Sequence, residues 1–354
     1  MKRRSFLKIA GTAAAAAAMR IQPALYAADD SAQNLTDKVA GMPRRTLGRT
    51  GLKVSVAGYP GLAMTNSEQD ECNKSVRRAL EKGVNYFDVA PAYGDGVSET
   101  RMGIAFEGIS RDQYHLGCKT KMRDKKGARE ELERSLTRLK TDHFDLYQFH
   151  HIRFPDEVKQ IFGPDGAMET FQKAKEEGKI RHIGFSAHTT KGALLMMEAF
   201  KFDTVMFPIN YVDYFNMGFG KPVLELADKQ GAAVLAIKIM SAGVWKPDEK
   251  KYRNWWYRTL ETQEDIDRAF RFTLSLKPVV LGIAPSFTEL ADKSYLAGHH
   301  YQPANDGDVA KLREMAAGYK PLFEDEEKRV AMGMTSRSHF EPESPYDTYP
   351  CCKA

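Results

Sequence analysis

Eight short apolar segments alternating with amphipathic ones predict an α/β fold, a closed (β/α)8 TIM barrel with an N-terminal β-hairpin and a C-terminal extension. Three observations point there. Helix-length segments separate successive strand-like ones, which favours parallel pairing. The strand-like segments number eight, enough to close a barrel. Once a basic leader is set aside, about 325 residues remain, a length that suits one such domain with insertions. An open doubly wound sheet is the alternative arrangement of the same units.

The elements follow in order. RRTLGRTGLKVS, residues 44–55, sets LGRTG between two short extended runs and reads as a hairpin. Strands are expected at 54–58, 85–88, 115–119, 144–149, 182–186, 204–208, 233–237 and 279–283. The segments between them are amphipathic; in 130–140, for example, Leu132, Leu136 and Leu139 recur at helical spacing among charges. The chain divides into a leader at 1–28, a barrel at 43–298 and an extension at 299–354. In the extension, a helix is expected over 308–318, followed by polar residues and prolines that either fold over the barrel mouth or cap its flank.

Charge and cysteine usage exclude several classes. The net charge is +5, and the leader alone holds five basic residues, Lys2, Arg3, Arg4, Lys8 and Arg20, with no acid. The rest of the chain is near neutral, which argues against nucleic acid or an anionic membrane as partner. Cys72 falls in an expected helix, Cys118 in a strand, and Cys351 and Cys352 near the end. No disulfide framework or metal site is assigned; the vicinal pair is left open to a metal contact, a bond to another chain or no role.

The leader joins Arg3 and Arg4 to Phe6, Leu7, Lys8 and an alanine-rich run, and resembles a twin-arginine export signal. The run at 9–19 is shorter than the roughly 20 apolar residues a membrane span needs. The resemblance implies the twin-arginine export machinery as a partner, cleavage near Ala27 or Ala28, and a periplasmic or otherwise exported protein. Membrane contact is expected only through an uncleaved leader. Nothing in the sequence sets the oligomeric state.

The strongest chemical signal is GVNYFDVAPAYG, residues 83–94, which puts Asp88 and Tyr93 five residues apart across a strand end. Pro91, Gly94 and Gly96 force the turn that keeps Tyr93 nearby. HLGCKTK then carries Lys119 and Lys121, and FDLYQFHH carries His150 and His151. An acid, a phenol, a lysine and a histidine therefore stand at the ends of three successive strands. Here the chain resembles the aldo-keto reductase family, through FDxAxxYG at Phe87 to Gly94, the strand-borne lysine, and DLYQxH at Asp145 to His150. The likeness runs through most of 43–298.

That resemblance implies a catalytic tetrad of Asp88, Tyr93, Lys119 and His150, with Lys119 preferred to Lys121 because it lies on the strand. The chemistry needs these types. Hydride addition to a carbonyl leaves negative charge on oxygen, and a proton donor must meet it. Tyr93 is the candidate acid, Lys119 favours its phenolate, Asp88 holds Lys119 charged and oriented, and His150 donates to the carbonyl.

The family's cofactor is NADP or NAD, and the resemblance assigns its contacts less evenly. In IGFSAH, Ser186 resembles the serine that touches the nicotinamide amide, but Ala187 replaces the usual asparagine and His188 follows. Met206 stands where a glutamine is usual, and Ile237, followed by Lys238, where a tyrosine stacks on the ring. LGIAPSFTEL resembles the segment that holds the pyrophosphate, through Gly282, Ser286 and the helix beyond. Glu289 aligns where NADP-specific members carry a basic residue, so it repels a 2'-phosphate and suits a ribose hydroxyl.

Two functions follow from these residues. One is an oxidoreductase acting on a small-molecule carbonyl or alcohol; the other is a non-catalytic nicotinamide-binding or redox-sensing barrel subunit, given the altered contacts. The loop 247–265 carries Tyr252, Trp255, Trp256 and Tyr257, which either stack on a sugar or other ring or pack the loop onto the barrel.

Overall fold

The computed structural model describes residues 37–336. The leader and Cys351 and Cys352 lie outside them. At the start, β1 (Lys38–Val39), β2 (Met42–Thr46) and β3 (Lys53–Ser55) form an antiparallel three-stranded sheet. Eight parallel strands then close a barrel: β4 (Ala57–Pro60), β5 (Tyr86–Asp88), β6 (His115–Thr120), β7 (Phe144–Ile152), β8 (Ile180–Ala187), β9 (Thr204–Pro208), β10 (Ala233–Ile237) and β11 (Val279–Ile283). Closure comes where β11 pairs with β4, Gly282 opposite Ala57. The eight-stranded barrel and the hairpin are as the sequence predicts.

The first barrel strand differs from its expected bounds. The run 54–58 is shared between β3 and β4, because the chain turns at Val56, whose N–H donates to Pro43 while its carbonyl accepts from Gly282. Asn85 pins this corner from below: its Oδ1 accepts from Ser55 N at 2.8 Å and its Nδ2 donates to Lys53 O at 2.9 Å. The hairpin thereby plugs the barrel floor. Its Leu47 and Val54 pack with Tyr86, Leu146, Leu235 and Leu281 in the interior cluster.

Helices α1 (Gln69–Glu81), α2 (Val97–Ala105), α3 (Lys125–Leu139), α4 (Pro155–Phe162), α5 (Ala167–Glu176), α6 (Thr190–Ala199), α7 (Tyr211–Met217), α8 (Lys221–Gln230), α9 (Gln263–Leu274) and α10 (Thr288–His299) lie between or after the strands. In α3, Asp124 caps the start by accepting from Gly127 N at 2.7 Å. Ala128, Leu132, Leu136 and Leu139 then bury one stripe while charges face outward. Each such leucine contributes about 1.5–3 kcal/mol by leaving water.

The extension begins with α11 (Asp306–Ala316), which lies on the flank. Asp308 takes both arms of Arg271 in α9, and Ala316 O accepts from Asn216. The chain then crosses toward the C-terminal face of the barrel into α12 (Glu324–Ala331). There Phe323 stacks on Phe219 with centroids 5.0 Å apart and meets His188 at 5.6 Å. Among the described residues, no helix is long and apolar enough to cross a membrane.

Candidate active site

The turn after β5 is built by residues in left-handed conformations, Gly94 at φ 64°, Asp95 at 52° and Gly96 at 87°. The left-handed φ of Gly96 strains any residue with a Cβ, which would also push aside Arg138 Nη1, 2.0 Å away. Ser98 anchors the far end by donating to Gly61 O at 2.7 Å. This folding returns Tyr93 to the strand end that carries Asp88.

Lys119 meets both residues from β6. Its Nζ donates to Asp88 Oδ2 at 2.6 Å, to Tyr93 Oη at 3.0 Å and to Val89 O at 3.1 Å. Tyr93 Oη lies 3.4 Å from Asp88 Oδ2. Lys119 is fully buried, Asp88 is 3 % exposed and Tyr93 9 %. The phenol thus stands between a sealed ion pair and the pocket that it lines. His150 faces it edge to face, ring centroids 5.6 Å apart. The four residues expected as a tetrad come together, whereas Lys121 lies one turn of the pleat beyond, half-buried.

Burial pushes the Asp88 carboxyl above its usual range, and Lys119 pulls it the other way. Burial also holds His150 well below the ordinary imidazole range, helped by the charge of Lys119, so the ring is neutral at pH 7. Its Nδ1 has no protein partner among the described residues. A neutral imidazole has one N–H to give.

The pocket is enclosed by the ends of β4, β5, β7, β8, β9, β10 and β11. Ser186 lines it and accepts from His151 N at 2.7 Å. Met206 and Ile237, two of the three positions where the sequence departs from its family pattern, also line it, as does Lys238, whereas Ala187 does not. Ser286 closes the β11 side. Gly282 sits in β11, where a Cβ would strike Ile239 Cδ1 at 2.6 Å, so its small size answers to packing outside the barrel. Glu289 stands in the first turn of α10 and accepts from Arg253 Nη1 at 2.5 Å. The same guanidinium grips Glu261 at 3.0 and 2.8 Å and covers the Phe287 ring at 4.3 Å.

Of the loop aromatics, Trp255 and Tyr257 are buried against the pocket, while Tyr252 is half exposed. From the sequence, His151 carries no assigned role. Strand parity sends it opposite His150, but a left-handed φ of 62° at a bulge in β7 turns it into the same pocket. Its ring meets that of His188 at 4.2 Å, edge to face. His299 and His300 lie elsewhere, on Lys82 O and Asp267. No group of three His, Cys, Asp or Glu side chains is arranged to hold a metal among the described residues.

Known proteins resemble this chain in sequence and in fold. It is 34 % identical over 155 residues to an L-galactose dehydrogenase of Arabidopsis thaliana, covering 40 % of this chain and 47 % of that protein. Against the aldo-keto reductase YhdN of Bacillus subtilis it is 34 % identical over 161 residues, covering 41 % and 47 %. The chain spans about half the length of these curated relatives. The holo form of an aldo-keto reductase from Bacillus halodurans superposes with a TM-score of 0.64 at 21 % identity, covering 81 % of this chain and 99 % of that one, a likeness of fold. The model of the Aldo/keto reductase family matches residues 57–293. With that match spanning most of the barrel and its closed eight-stranded topology, the chain belongs to the aldo/keto reductase family, whose members carry out NAD(P)-dependent oxidoreduction.

Proposed function

We propose that the protein is a nicotinamide-dependent oxidoreductase interconverting a small carbonyl compound and its alcohol, with Tyr93 as general acid and base. One observation carries this reading: a single buried ammonium, Lys119 Nζ, reaches both Asp88 at 2.6 Å and Tyr93 at 3.0 Å, while the phenol fronts the pocket. In the reducing direction Tyr93 Oη gives its proton to the substrate oxygen as charge develops there. Lys119 steadies the phenolate left behind, in a site where water cannot screen the attraction. Asp88 keeps Lys119 charged and fixes where it points. His150, being neutral, donates one hydrogen bond to the same oxygen and sets its direction. The non-catalytic alternative has less support, since a binding subunit has no need of a phenol held against a buried ammonium.

The lining fits a dinucleotide. Ser186 and the apolar Met206, Ile237 and Ile283 suit a nicotinamide ring, and Lys238, Ser286 and the start of α10 suit its phosphates. When bound, that group supplies or accepts the hydride. Arg253 is already shared by Glu261 and Glu289, so this guanidinium is occupied and the Glu289 carboxylate favours NAD over the 2'-phosphate of NADP. Gly282 would serve through its backbone. Titrating both reduced cofactors against protein fluorescence tests this, and clearly tighter NADPH would overturn the preference for NAD.

The buried aromatics Trp255 and Tyr257 and the kinship with an L-galactose dehydrogenase support a hydroxylated, sugar-like substrate. Export by the twin-arginine machinery, with cofactor already bound, belongs to the same proposal. Fractionating cells and sequencing the N-terminus of the protein tests it: a product confined to the cytoplasm with Met1 intact would refute it. The decisive experiment for the reaction is NAD(P)H oxidation on aldehydes by the wild type and Tyr93→Phe. Equal rates would overturn the assignment.

A further inference from the structure

The contact between phenol and ammonium joins two segments that the barrel ladder does not hold together. Strands β5 and β6 pair from Tyr86 opposite His115 to Asp88 opposite Gly117, and Val89 N ends the ladder on Gly117 O at 3.0 Å. Tyr93 lies beyond that last rung. Its turn closes on itself, with Tyr93 N donating to Ala90 O at 3.0 Å and Ser98 N to Tyr93 O at 3.2 Å, and Ser98 leads directly into Glu99 of α2. The 3.0 Å between Lys119 Nζ and Tyr93 Oη therefore depends on where the start of α2 sits against β6.

Glu99 fixes that position. Its side chain is wholly buried, with Oε1 accepting from Cys118 Sγ in β6 at 3.6 Å and Oε2 from Arg138 Nη1, in the last turn of α3, at 3.0 Å. Cys118 adjoins Lys119 and, by strand alternation, faces the helices while Lys119 faces the barrel interior. The carboxylate thus grips the back of the strand whose front holds Tyr93. Arg138 also lies against the turn itself, since its Nη1 and Cζ would stand 2.0 and 2.3 Å from a Cβ on Gly96. Helices α2 and α3 approach closely enough for this at Gly103, where a Cβ would strike Arg138 O at 2.3 Å. Neither Glu99 nor Arg138 lines the pocket.

Resting on the hydride reading above, we propose that Glu99 and Arg138 are positioning residues for the proton transfer: their ion pair, behind β6, fixes the turn of Tyr93 against the strand of Lys119. Apolar side chains could fill the same space at lower cost. A hydrogen-bonded pair adds direction, which a contact of set length requires. Loosening the pair would lengthen the contact and weaken the ammonium's support of the phenolate, so that proton release would move to higher pH.

The test follows single-turnover oxidation of NAD(P)H by glyceraldehyde in the full chain across pH. Arg138→Met alone would strand a buried carboxylate, so the first variant is the double, Glu99→Gln with Arg138→Met, which leaves neither charge unpaired. Hydride transfer should slow about tenfold or more, as displacement of a reacting group warrants, while the dissociation constant of the reduced cofactor and the steady-state KM for glyceraldehyde stay within about twofold of the wild type. The pH at which the rate falls to half should rise by about 0.5 or more, because Tyr93 is the acid in this direction and would keep its proton to higher pH. A rate near that of the wild type, or a slower one with an unmoved midpoint, overturns the proposal and leaves the pair a fastening between helices. Should the double variant not fold, Glu99→Gln alone decides by the same midpoint, and an unmoved one overturns the proposal. If the wild type reduces neither glyceraldehyde nor benzaldehyde, the hydride reading itself fails and this proposal with it.

Discussion

Two sectors of the barrel mouth hold their charges in opposite ways. On β5 and β6 the pair Asp88 and Lys119 is sealed, with 3 % and 0 % exposure. Across the mouth, on the loop after β10, Arg253 bridges Glu261 and Glu289 with its partners 35 % and 57 % exposed. In the first sector neither charge can trade its partner for water. In the second, water can replace either partner at little cost. A group that steers a proton needs one geometry held without relaxation, whereas a loop over a large ligand must let go of its contacts. The pocket under that loop measures about 60 Å³. That is well below the roughly 300 Å³ at which ligand pockets begin, so a dinucleotide seated there would need the loop to give way.

The sealed sector is broken most severely at the phenol. Tyr93→Phe should lower kcat by about 10²–10⁴-fold, the usual contribution of a positioned acid. Its cofactor dissociation constant and its melting temperature should stay near those of the wild type. Lys119→Met tests the seal itself: it leaves Asp88 buried and uncompensated, and should cost about 3–5 kcal/mol in urea unfolding as well as the activity. Adding Asp88→Leu to that variant should recover most of the stability and none of the turnover. Recovery of activity in the double variant would show that the ion pair is merely structural.

A third charge sharpens the comparison, because it is sealed without a cation partner among the described residues. Asp213 in α7 accepts from Phe323 N at 2.9 Å and so ties the extension to the barrel. Burial outweighs that bond and pushes its carboxyl up to about 6. In the unfolded chain an aspartate titrates near 3.9. Between those values the folded state holds more protons, so stability is greatest below the lower one and falls as pH rises through about 6. Asp213→Asn keeps an acceptor for Phe323. It should flatten that slope and raise stability at pH 7.5 by on the order of 2 kcal/mol, read by urea unfolding at pH 5 and 7.5. An unchanged slope would place the dependence elsewhere.

The sealed sector was also the more legible in sequence. The strands at 204–208, 233–237 and 279–283 match β9, β10 and β11, since parallel strands buried on both faces read as unbroken apolar runs. The acid, phenol, lysine and histidine were legible because strand ends and a glycine-rich turn fix where they stand. Where β3 gives way to β4 was not, because Val56 is as apolar as its neighbours and the break comes from hydrogen bonds to Pro43 and Gly282. The turn of His151 into the pocket was hidden for a similar reason. A left-handed histidine at a strand bulge leaves no mark in residue type. The Arg253 bridge depends on a loop meeting a helix 36 residues away, and no periodicity encodes such a contact.

The exposed sector offers the smallest effect and the finest discrimination. Arg253→Ala removes contacts that water can replace, so the folded state should lose less than about 1 kcal/mol. If the bridge only latches the loop, the variant should bind and release both reduced cofactors faster, by similar factors, in stopped-flow fluorescence, because Arg253 favours the closed loop whichever dinucleotide lies beneath it. If Arg253 instead leaves its two glutamates to meet a 2'-phosphate, NADPH alone should lose about tenfold in affinity, as a charge-assisted contact would. The ratio of the two dissociation constants separates these cases even if turnover is unchanged. An unaltered ratio with faster release identifies the bridge as a latch. A selective loss for NADPH makes it part of the cofactor site and reverses the preference for NAD read from Glu289.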